Sequence, residues 1–549
     1  VSTSIPVQVA TGTVWSKVSS GYKHTIAIKE DGTLWGWGWN FFGQVGDGTN
    51  GKDTPNDKSD DSITTTTQID SNNSWLEVSG GAWFSTALQN NGAIYTWGYN
   101  NHGQLGNNTS GEGTRADSPQ PIITDTHFTN VYAGHAQAIA IKDDGTLWGW
   151  GFNGKGSLGD GTTEDKTTPT QLGTESDWHS IFVGYEHTLA IKEDGTLWLW
   201  GRNDYGQIGD GTKENKTSPI QIGNDKDWYI VRGGGMHSLA IKRDGSLWAW
   251  GRNDYGQLGD GTNTDRITPV QIGTDTDWQM VDGGFYFSIA MKSNGEVWAW
   301  GHNDYGQLGD GTFSDSNKPV KAANLDLTDN QVPIADAGSD LTVNEGDTVT
   351  LDGSNSSDPD GTIVSYDWVQ TSGSSVVISD TTSSKISFTA PSIDTDSETL
   401  AFILTVKDDK GFFNSDAVNV TVSNVISKAD LKITSLKIPR KVKRGRKAVF
   451  KCIVKNVGSF GASSTELSFY LSKDNSSQIL SEDILLGTKK VKKMKKGKIR
   501  VLKKKWKIPR KFKKGSFYLK AYCDSKDSVE ESNEDNNLKV SKKRMKIVK

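Results

Sequence analysis

Over the first 320 residues, apolar positions come in short runs that alternate with polar ones and stop at glycine. Thr188-Leu189-Ala190-Ile191 and Thr196-Leu197-Trp198-Leu199-Trp200 lie on either side of an Asp-Gly pair, which is hairpin-turn chemistry and predicts two antiparallel strands. The same sentence recurs six times in phase, starting at Trp15, Trp75, Phe128, Trp178, Trp228 and Trp278. Each copy has a glycine six residues on and an alanine twelve on. A Trp-Gly pair follows (Trp37-Gly38 through Trp300-Gly301), then an asparagine and G-Q-x-G or, once, G-S-L-G. The Trp-Gly spacings are 60, 53, 50, 50 and 50 residues, and a period near fifty marks a propeller or array whose units cannot bury an apolar face alone. A further short strand of the Pro269 to Ile272 type brings the unit to four strands, one propeller blade. Eighteen of the twenty tryptophans fall here, and their fixed register marks them as blade core rather than as a sugar platform.

The run from Ala190 to Thr212, with Gly-Thr-Leu-Trp-Leu-Trp-Gly-Arg-Asn-Asp-Tyr-Gly-Gln-Ile-Gly at its centre, resembles the regulator of chromosome condensation repeat. The resemblance covers about residues 1 to 320 and implies a β-propeller, usually of seven blades. Here there are six core units but seven Pro-Val-Gln-like segments, the spare being Pro6-Val7-Gln8-Val9. Either that front segment closes a six-bladed ring or a unit is missing. The expectation is the former, a closed ring within residues 1–322 with Pro6 to Val9 on the last blade.

Composition then changes to Ser, Thr and Asp. Residues 333–424, with Val349-Thr-Leu-Asp-Gly-Ser-Asn-Ser-Ser-Asp-Pro-Asp-Gly361 and Tyr366-Asp-Trp368, resemble a polycystic-kidney-disease type module, a β-sandwich. Residues 430–549, with Val454-Lys-Asn-Val-Gly458 and Gly515-Ser-Phe-Tyr-Leu-Lys-Ala-Tyr522, resemble the cell-adhesion-related domain found in bacteria, again a sandwich. The fold class is therefore all-β: a propeller of six repeat units followed by two Ig-like sandwiches. Both modules are typical of secreted or surface-attached bacterial and archaeal proteins, where they act as spacers and stalks.

Charge is segregated along this order. Residues 428–549 hold 36 Lys and Arg against 11 Asp and Glu, in a chain whose net charge is −5. The patch Lys492, Lys493, Lys495, Lys496, Lys503, Lys504 and Lys505 points to attachment to something anionic: an envelope polysaccharide, lipid head groups or the acidic part of another copy. Nucleic acid is disfavoured, because the apolar residues of the tail read as strand positions rather than stacking platforms. The two cysteines, Cys452 and Cys523, each share strand parity with inward apolar neighbours, and a disulfide between them is expected. No segment approaches the ~20 consecutive apolar residues of a membrane span. Export by a signal peptide absent from this numbering, to the outside or surface of a bacterium or archaeon, completes the expectation.

Signals for catalysis are weak. The slot nine residues after each leading aromatic reads His24, Phe84, Gln137, His187, His237 and Phe287, so half its members lack an ionisable group. The repeated Gly-Asp-Gly-Thr reads as turn chemistry. No cofactor is required. Asp358, Asp360 and Asp409 are the better calcium candidates, since related modules sometimes bind it in acidic loops.

Binding chemistry is more legible, because six repeats act as an internal control. Positions that vary freely are filled mostly by aromatic, Arg, His or Met residues, the types enriched in interface hot spots. They are Tyr22, Trp39, Trp83, Tyr99, Phe152, Tyr185, Arg202, Met236, Arg252, Tyr286 and His302. Equivalent positions in a propeller share one face. The chain reads as a non-enzymatic secreted or surface protein whose head binds an extracellular protein or glycan and whose sandwiches form a stalk and an anionic-surface attachment. The alternative is a structural subunit of a surface layer or filament, assembled by acidic propeller on basic C-terminal domain.

Overall fold

The structure, a computed structural model, describes residues 3–51, 62–123, 127–326, 330–393, 395, 397–424, 431–457, 464–495, 497–508, 510, 513–523 and 538–549. The regular elements among them are β-strands. Residues 1–423 form one compact unit and residues 424–549 another.

Six four-stranded antiparallel sheets follow each other along residues 15–326, one per repeat. The fifth is representative: Trp228–Gly233, Val231 facing inward, then His237–Lys242, Leu247–Gly251 and Arg266–Gln271. Its hairpin turns at Asp244-Gly245, where the Gly245 N–H bonds the Lys242 carbonyl (2.9 Å) and the Asp244 carboxylate accepts from the Ser246 N–H (2.9 Å). Gly245 has φ +78°, a conformation that costs glycine nothing.

Blades are joined by one repeated device. The Gln207 carbonyl oxygen of the fourth blade accepts from Trp250 Nε1 (2.9 Å) and from Ser238 Oγ (2.7 Å), both on the fifth. The Trp97, Trp150, Trp200 and Trp300 indoles make the same bond to the preceding blade at 2.9–3.0 Å, and all five indoles are fully buried. Each joint also buries the aliphatic residue of the incoming first strand: Val78, Val131, Ile181, Val231 and Val281 are 1–9% exposed.

The sixth joint is not made, which corrects the expected closed ring. On the first blade Val18, the counterpart of Val231, is 58% exposed, and Trp37 is only half-buried, with no bond from its indole to the Gln307 carbonyl among the described residues. The front segment does reach the last blade: the Ser4 carbonyl accepts from the Gly311 N–H (2.8 Å). In the fifth blade the equivalent Gly261 N–H bonds Asn317, in the outer strand of the next blade, also at 2.8 Å. Ser4 thus occupies an outer-strand position of a further blade rather than adding to the sixth, whose own outer strand is Ser316–Asp326. One outer segment lacks the tryptophan, serine and inner strand that make a joint. Five like joints set the curvature, and after six blades the ring is still open.

Residues 333–423 form the first sandwich, with Trp368 fully buried in a core with Leu351, Phe388, Phe402 and Leu404. It docks on the side of the propeller where first strands begin and the Asp-Gly hairpins turn. Arg243 Nη2 meets Asp367 Oδ2 (2.6 Å) and its Nη1 donates to Thr405 Oγ1 (2.5 Å). Gln279 Oε1 accepts from the Phe413 N–H (2.7 Å), and the Phe413 ring packs on Tyr229 at 4.5 Å. Lys407 and Gly411 line, with Arg232, Met280 and Asp282, a cavity of about 550 Å³ on this side of the propeller.

The second unit is a sandwich of a three-stranded sheet (Leu431–Lys437, Lys447–Asn456, Ile499–Lys507) and a larger sheet that includes Thr465–Ser472 and Gly515–Cys523. The expected Cys452–Cys523 disulfide is not formed; both residues are buried as thiols. Cys452 lies in the three-stranded sheet and Cys523 in the facing one, paired with Leu467. A bridge between facing sheets needs the two Cα atoms within ~7 Å and the Cβ vectors aimed at each other, which shared inward parity does not ensure. Burial pushes the Cys452 thiol up to about 12.

Candidate binding face

Strand direction decides which residues meet. Within each blade the first strand ends, the second begins and the third ends on the side away from the docked sandwich, so Tyr22, Trp39, Arg252 and their counterparts all emerge there. There they form a linked set of rings. Trp39 stacks on Phe41 (5.7 Å, 7° between planes) and meets Phe42 (5.6 Å), which touches Tyr99 (4.4 Å) and Trp83 (5.9 Å). The chain continues from Trp83 to His135 (5.8 Å), Tyr185 (3.9 Å), Phe285 (5.2 Å) and Tyr22 (5.7 Å). The last step spans the open seam between the sixth and first blades. From Phe285 it branches to Tyr286 (4.5 Å) and His302 (6.1 Å). Edge-to-face and offset contacts of this kind add about 0.5–1.5 kcal/mol per pair and hold the rings in fixed orientations.

Not every sequence candidate presents a free group. Arg202 is tied to Glu186 (2.9 Å) and Asp204 (2.7 Å), and Arg252 to Asp254 (2.6 Å), with its guanidinium over Tyr205 and Tyr286. Met236 Sδ lies 3.8 Å from Arg252 Nη1, and Phe152 stands apart from the main set against His102 (5.0 Å). Sequence comparison among repeats missed Phe41, Phe42, Tyr205, Tyr255 and Tyr305, although Tyr305 is 70% exposed. The three tyrosines belong to the repeated Asn-Asp-Tyr-Gly-Gln, so a search for varying positions passes over them.

Below the rings the mouth of the channel is walled by paired glycines, Gly80-Gly81, Gly233-Gly234 and Gly283-Gly284 among them. A Cβ on Gly81 would lie 2.8 Å from the Gly134 carbonyl oxygen, and one on Gly134 would lie 2.5 Å from that of Gly184. At the second position of the pair, as at Gly81 and Gly134, the blades approach too closely for a Cβ, whereas the first position takes Ser20, Ala133 and Val183 in other blades.

The histidine slot resembles a catalytic pair and is not one. His24, His187 and His237 place Nε2 2.9, 3.2 and 2.9 Å from Ser85, Ser238 and Ser288 of the next blade. All six residues are buried, and each serine hydroxyl donates to a backbone carbonyl or holds that place in the joint. Burial holds His24 and His187 down to about 4 and His237 to about 3, so the rings are neutral. In the Gly-Asp-Gly-Thr turns, Asp160 and Asp210 are bonded to the threonine of their own turn and paired with Lys166 (3.0 Å) and Lys216 (2.8 Å).

In the first sandwich Asp358 and Asp409 lie side by side, with Asp360 and Asp408 near them, but the three calcium candidates Asp358, Asp360 and Asp409 do not bring their oxygens within 4.8 Å of one another, as the ligand atoms of His302, Asp304 and Asp315 on the propeller do. A Cβ at Gly361 would lie 2.5 Å from Asp358 Oδ2 and 2.6 Å from Asp409 Oδ1. Asp360 accepts from the Gln331 N–H (3.0 Å) and approaches Lys410 (3.4 Å). Both Asp358 carboxylate oxygens are shut off from water with no well-aligned hydrogen-bond partner, and so is Asn330 Oδ1. Burial raises the Asp358 pKa, and the charges of Asp408, Asp360 and Asp409 push the same way against the backbone N–H of Asp360. Lys410 and the Gln331 N–H already engage Asp360, which leaves Asp358 and Asp409 as the adjacent carboxylates between which a hard divalent ion would sit.

The basic patch divides in two. Lys503 and Lys505 project from the outer face of the three-stranded sheet, and Lys504, of opposite parity, lies opposite Phe450. Lys492, Lys493 and Lys495 are exposed in the connection between two strands; Lys496 lies outside the described residues. A buried ammonium was not foreseen: Lys520, fully buried, is held by Asp474 (3.0 Å), Asp483 (2.9 Å), Ser476 (3.0 Å) and the Gln478 carbonyl (2.6 Å).

Comparisons with known proteins follow this division. Residues 1–232 match the RCC1-like domain, residues 244–291 and 294–343 the regulator of chromosome condensation (RCC1) repeat, residues 337–422 a PKD domain and residues 428–541 CARDB. The chain is 31% identical over 170 residues to the ultraviolet-B receptor UVR8 of Arabidopsis thaliana, covering 30% of this chain and 36% of that protein. It is 31% identical over 145 residues to the human E3 ubiquitin-protein ligase HERC2, 26% of this chain and 3% of that one. The chain thus spans about a third of the first relative and a small fraction of the second. Among solved structures, human WBSCR16 superposes with a TM-score of 0.51 at 22% identity, covering 58% of this chain and 85% of that one. Yeast RCC1 (Prp20), solved bound to Kap60, gives 0.50 at 22%, covering 56% and 75%. These likenesses show the propeller fold.

Proposed function

We propose that this chain, an RCC1-type propeller followed by a PKD and a CARDB domain, is a non-catalytic binding protein of the cell exterior. Its ring-lined face receives an extracellular protein or glycan, and its basic last domain attaches to an anionic envelope component. One observation carries the reading. The PKD domain occupies one end of the propeller through Arg243, Gln279 and Tyr229, which leaves the opposite, aromatic face as the exposed one. The rings there are half-buried and mutually braced, with Tyr22 and Tyr305 exposed, and aromatic residues of this kind dominate interfaces because they bury large area at little entropic cost. Protein binding is also what the solved relative from yeast shows in its complex with Kap60. The test is Trp39→Ala with Trp83→Ala in affinity capture from the native cell surface. A loss of capture of at least tenfold with unchanged thermal unfolding supports a binding face. Unchanged capture with a lowered melting temperature would make these rings core.

A further inference from the structure

We propose that the outer face of the three-stranded sheet in the CARDB domain docks on an anionic lipid bilayer, an inference that rests on reading this domain as the attachment module. The face is built by register. Lys447 pairs with Lys507, Lys451 with both Lys503 and Lys437, and Lys432 with Lys455, so lysine stands directly opposite lysine in four cross-strand pairs. Like charges so placed repel, and these three strands contain no Asp or Glu to offset them. The propeller treats its lysines differently: Lys192, Lys242 and Lys292 each sit between two carboxylates. An anionic partner relieves the repulsion that is left in place among the described residues.

The rest of the face selects among anions. Between the lysines lie Val449, Ile499 and Val501, 48%, 57% and 50% exposed. Alternate parity sends Phe450, Cys452 and Val454 into the core, and Trp506 turns inward against Phe450 (5.6 Å) and Phe469 (4.6 Å). The outer face therefore offers no aromatic platform for a base or a sugar ring and no guanidinium fork for two-point recognition of phosphate or carboxylate. It offers charge spread over a plane, with short aliphatic side chains level with the lysine stems. With alternate residues ~6.8 Å apart along a strand and strands ~4.8 Å apart, the plane measures roughly 27 by 10 Å. A sheet of anionic head groups over an apolar layer matches both features, and each lysine held near such a surface adds attraction that salt screens.

The experiment is co-sedimentation of the full chain with vesicles of phosphatidylcholine alone and of phosphatidylcholine mixed with phosphatidylglycerol, at low and high salt. Binding to the mixed vesicles only, reversed by salt, is expected. Lys451→Gln with Lys503→Gln should weaken it at least tenfold, about the loss of two surface lysines, and should leave the melting temperature unchanged or raised. Lys492→Gln with Lys493→Gln makes the same charge change off the sheet and should weaken it less. Equal losses in the two variants would overturn the proposal in favour of net charge. Binding to a soluble acidic polysaccharide without binding to vesicles would overturn it while sparing the attachment reading. Binding to neither would end both.

Discussion

Arg243, on the hairpin of the fifth blade, meets Asp367 of the PKD domain at 2.6 Å, and the two side chains are only 2% and 13% exposed. A guanidinium so dry is retained only with its partner, because either charge alone in that place carries a desolvation cost. Arg243→Ala should destabilise the unit by about 3–5 kcal/mol. The double variant with Asp367→Ala should recover part of that loss, as measured by chemical denaturation. Additive losses in the cycle would mean that the pair is not coupled.

The open seam makes a second, asymmetric prediction. Val231→Ala removes buried methyl groups from a made joint and should cost about 2 kcal/mol. Val18→Ala, the same change on the blade whose counterpart joint is absent, should cost close to nothing. Equal losses in thermal unfolding would show that the ring closes in solution.

Three buried histidines predict acid sensitivity with a defined window. In the unfolded chain they take up protons near pH 6.5, and in the folded chain His24 and His187 do so near 4 and His237 near 3. Between those limits the unfolded state binds more protons. The stability is therefore full above about pH 6.5, falls as pH drops toward 4, and levels below the folded values. Each unit of depression corresponds to about 1.4 kcal/mol. Phenylalanine fills the same slot in two other blades, so His187→Phe should narrow the gap between melting temperatures at pH 7.5 and pH 4.5.

The acidic pocket of the PKD domain yields a fourth. We propose that Asp358, with Asp409, holds calcium. Added Ca²⁺ should then raise the melting temperature, and Asp358→Asn should abolish the response while raising the stability of the metal-free protein, since it removes a carboxylate whose pKa burial and neighbouring charge have lifted. A response to Ca²⁺ that survives in Asp358→Asn would place the ion elsewhere.

The period of the tryptophans, the hairpin chemistry of Asp-Gly and the alternation of the last 220 residues settle the strands, the blades and their order, because all of these are set by neighbours within about fifty residues. Repeat-equivalent positions such as Tyr22, Trp39 and Arg252 likewise share a side whatever the curvature. Distance along the chain is where that power stops. Whether six blades close depends on the angle each joint imposes, and that angle is a property of packed tryptophans rather than of their count. Cys452 and Cys523 have inward parity, yet a bond between them depends on how two sheets face each other, which parity does not encode. Arg243 and Gln279 look like ordinary turn and strand residues until Asp367 and Phe413 of a second domain, 124 and 134 residues on, arrive beneath them and bury them. The sequence by itself determined the parts and their faces; tertiary packing alone decided which faces meet, because contact between distant segments is set by shape and desolvation at the place where they come together.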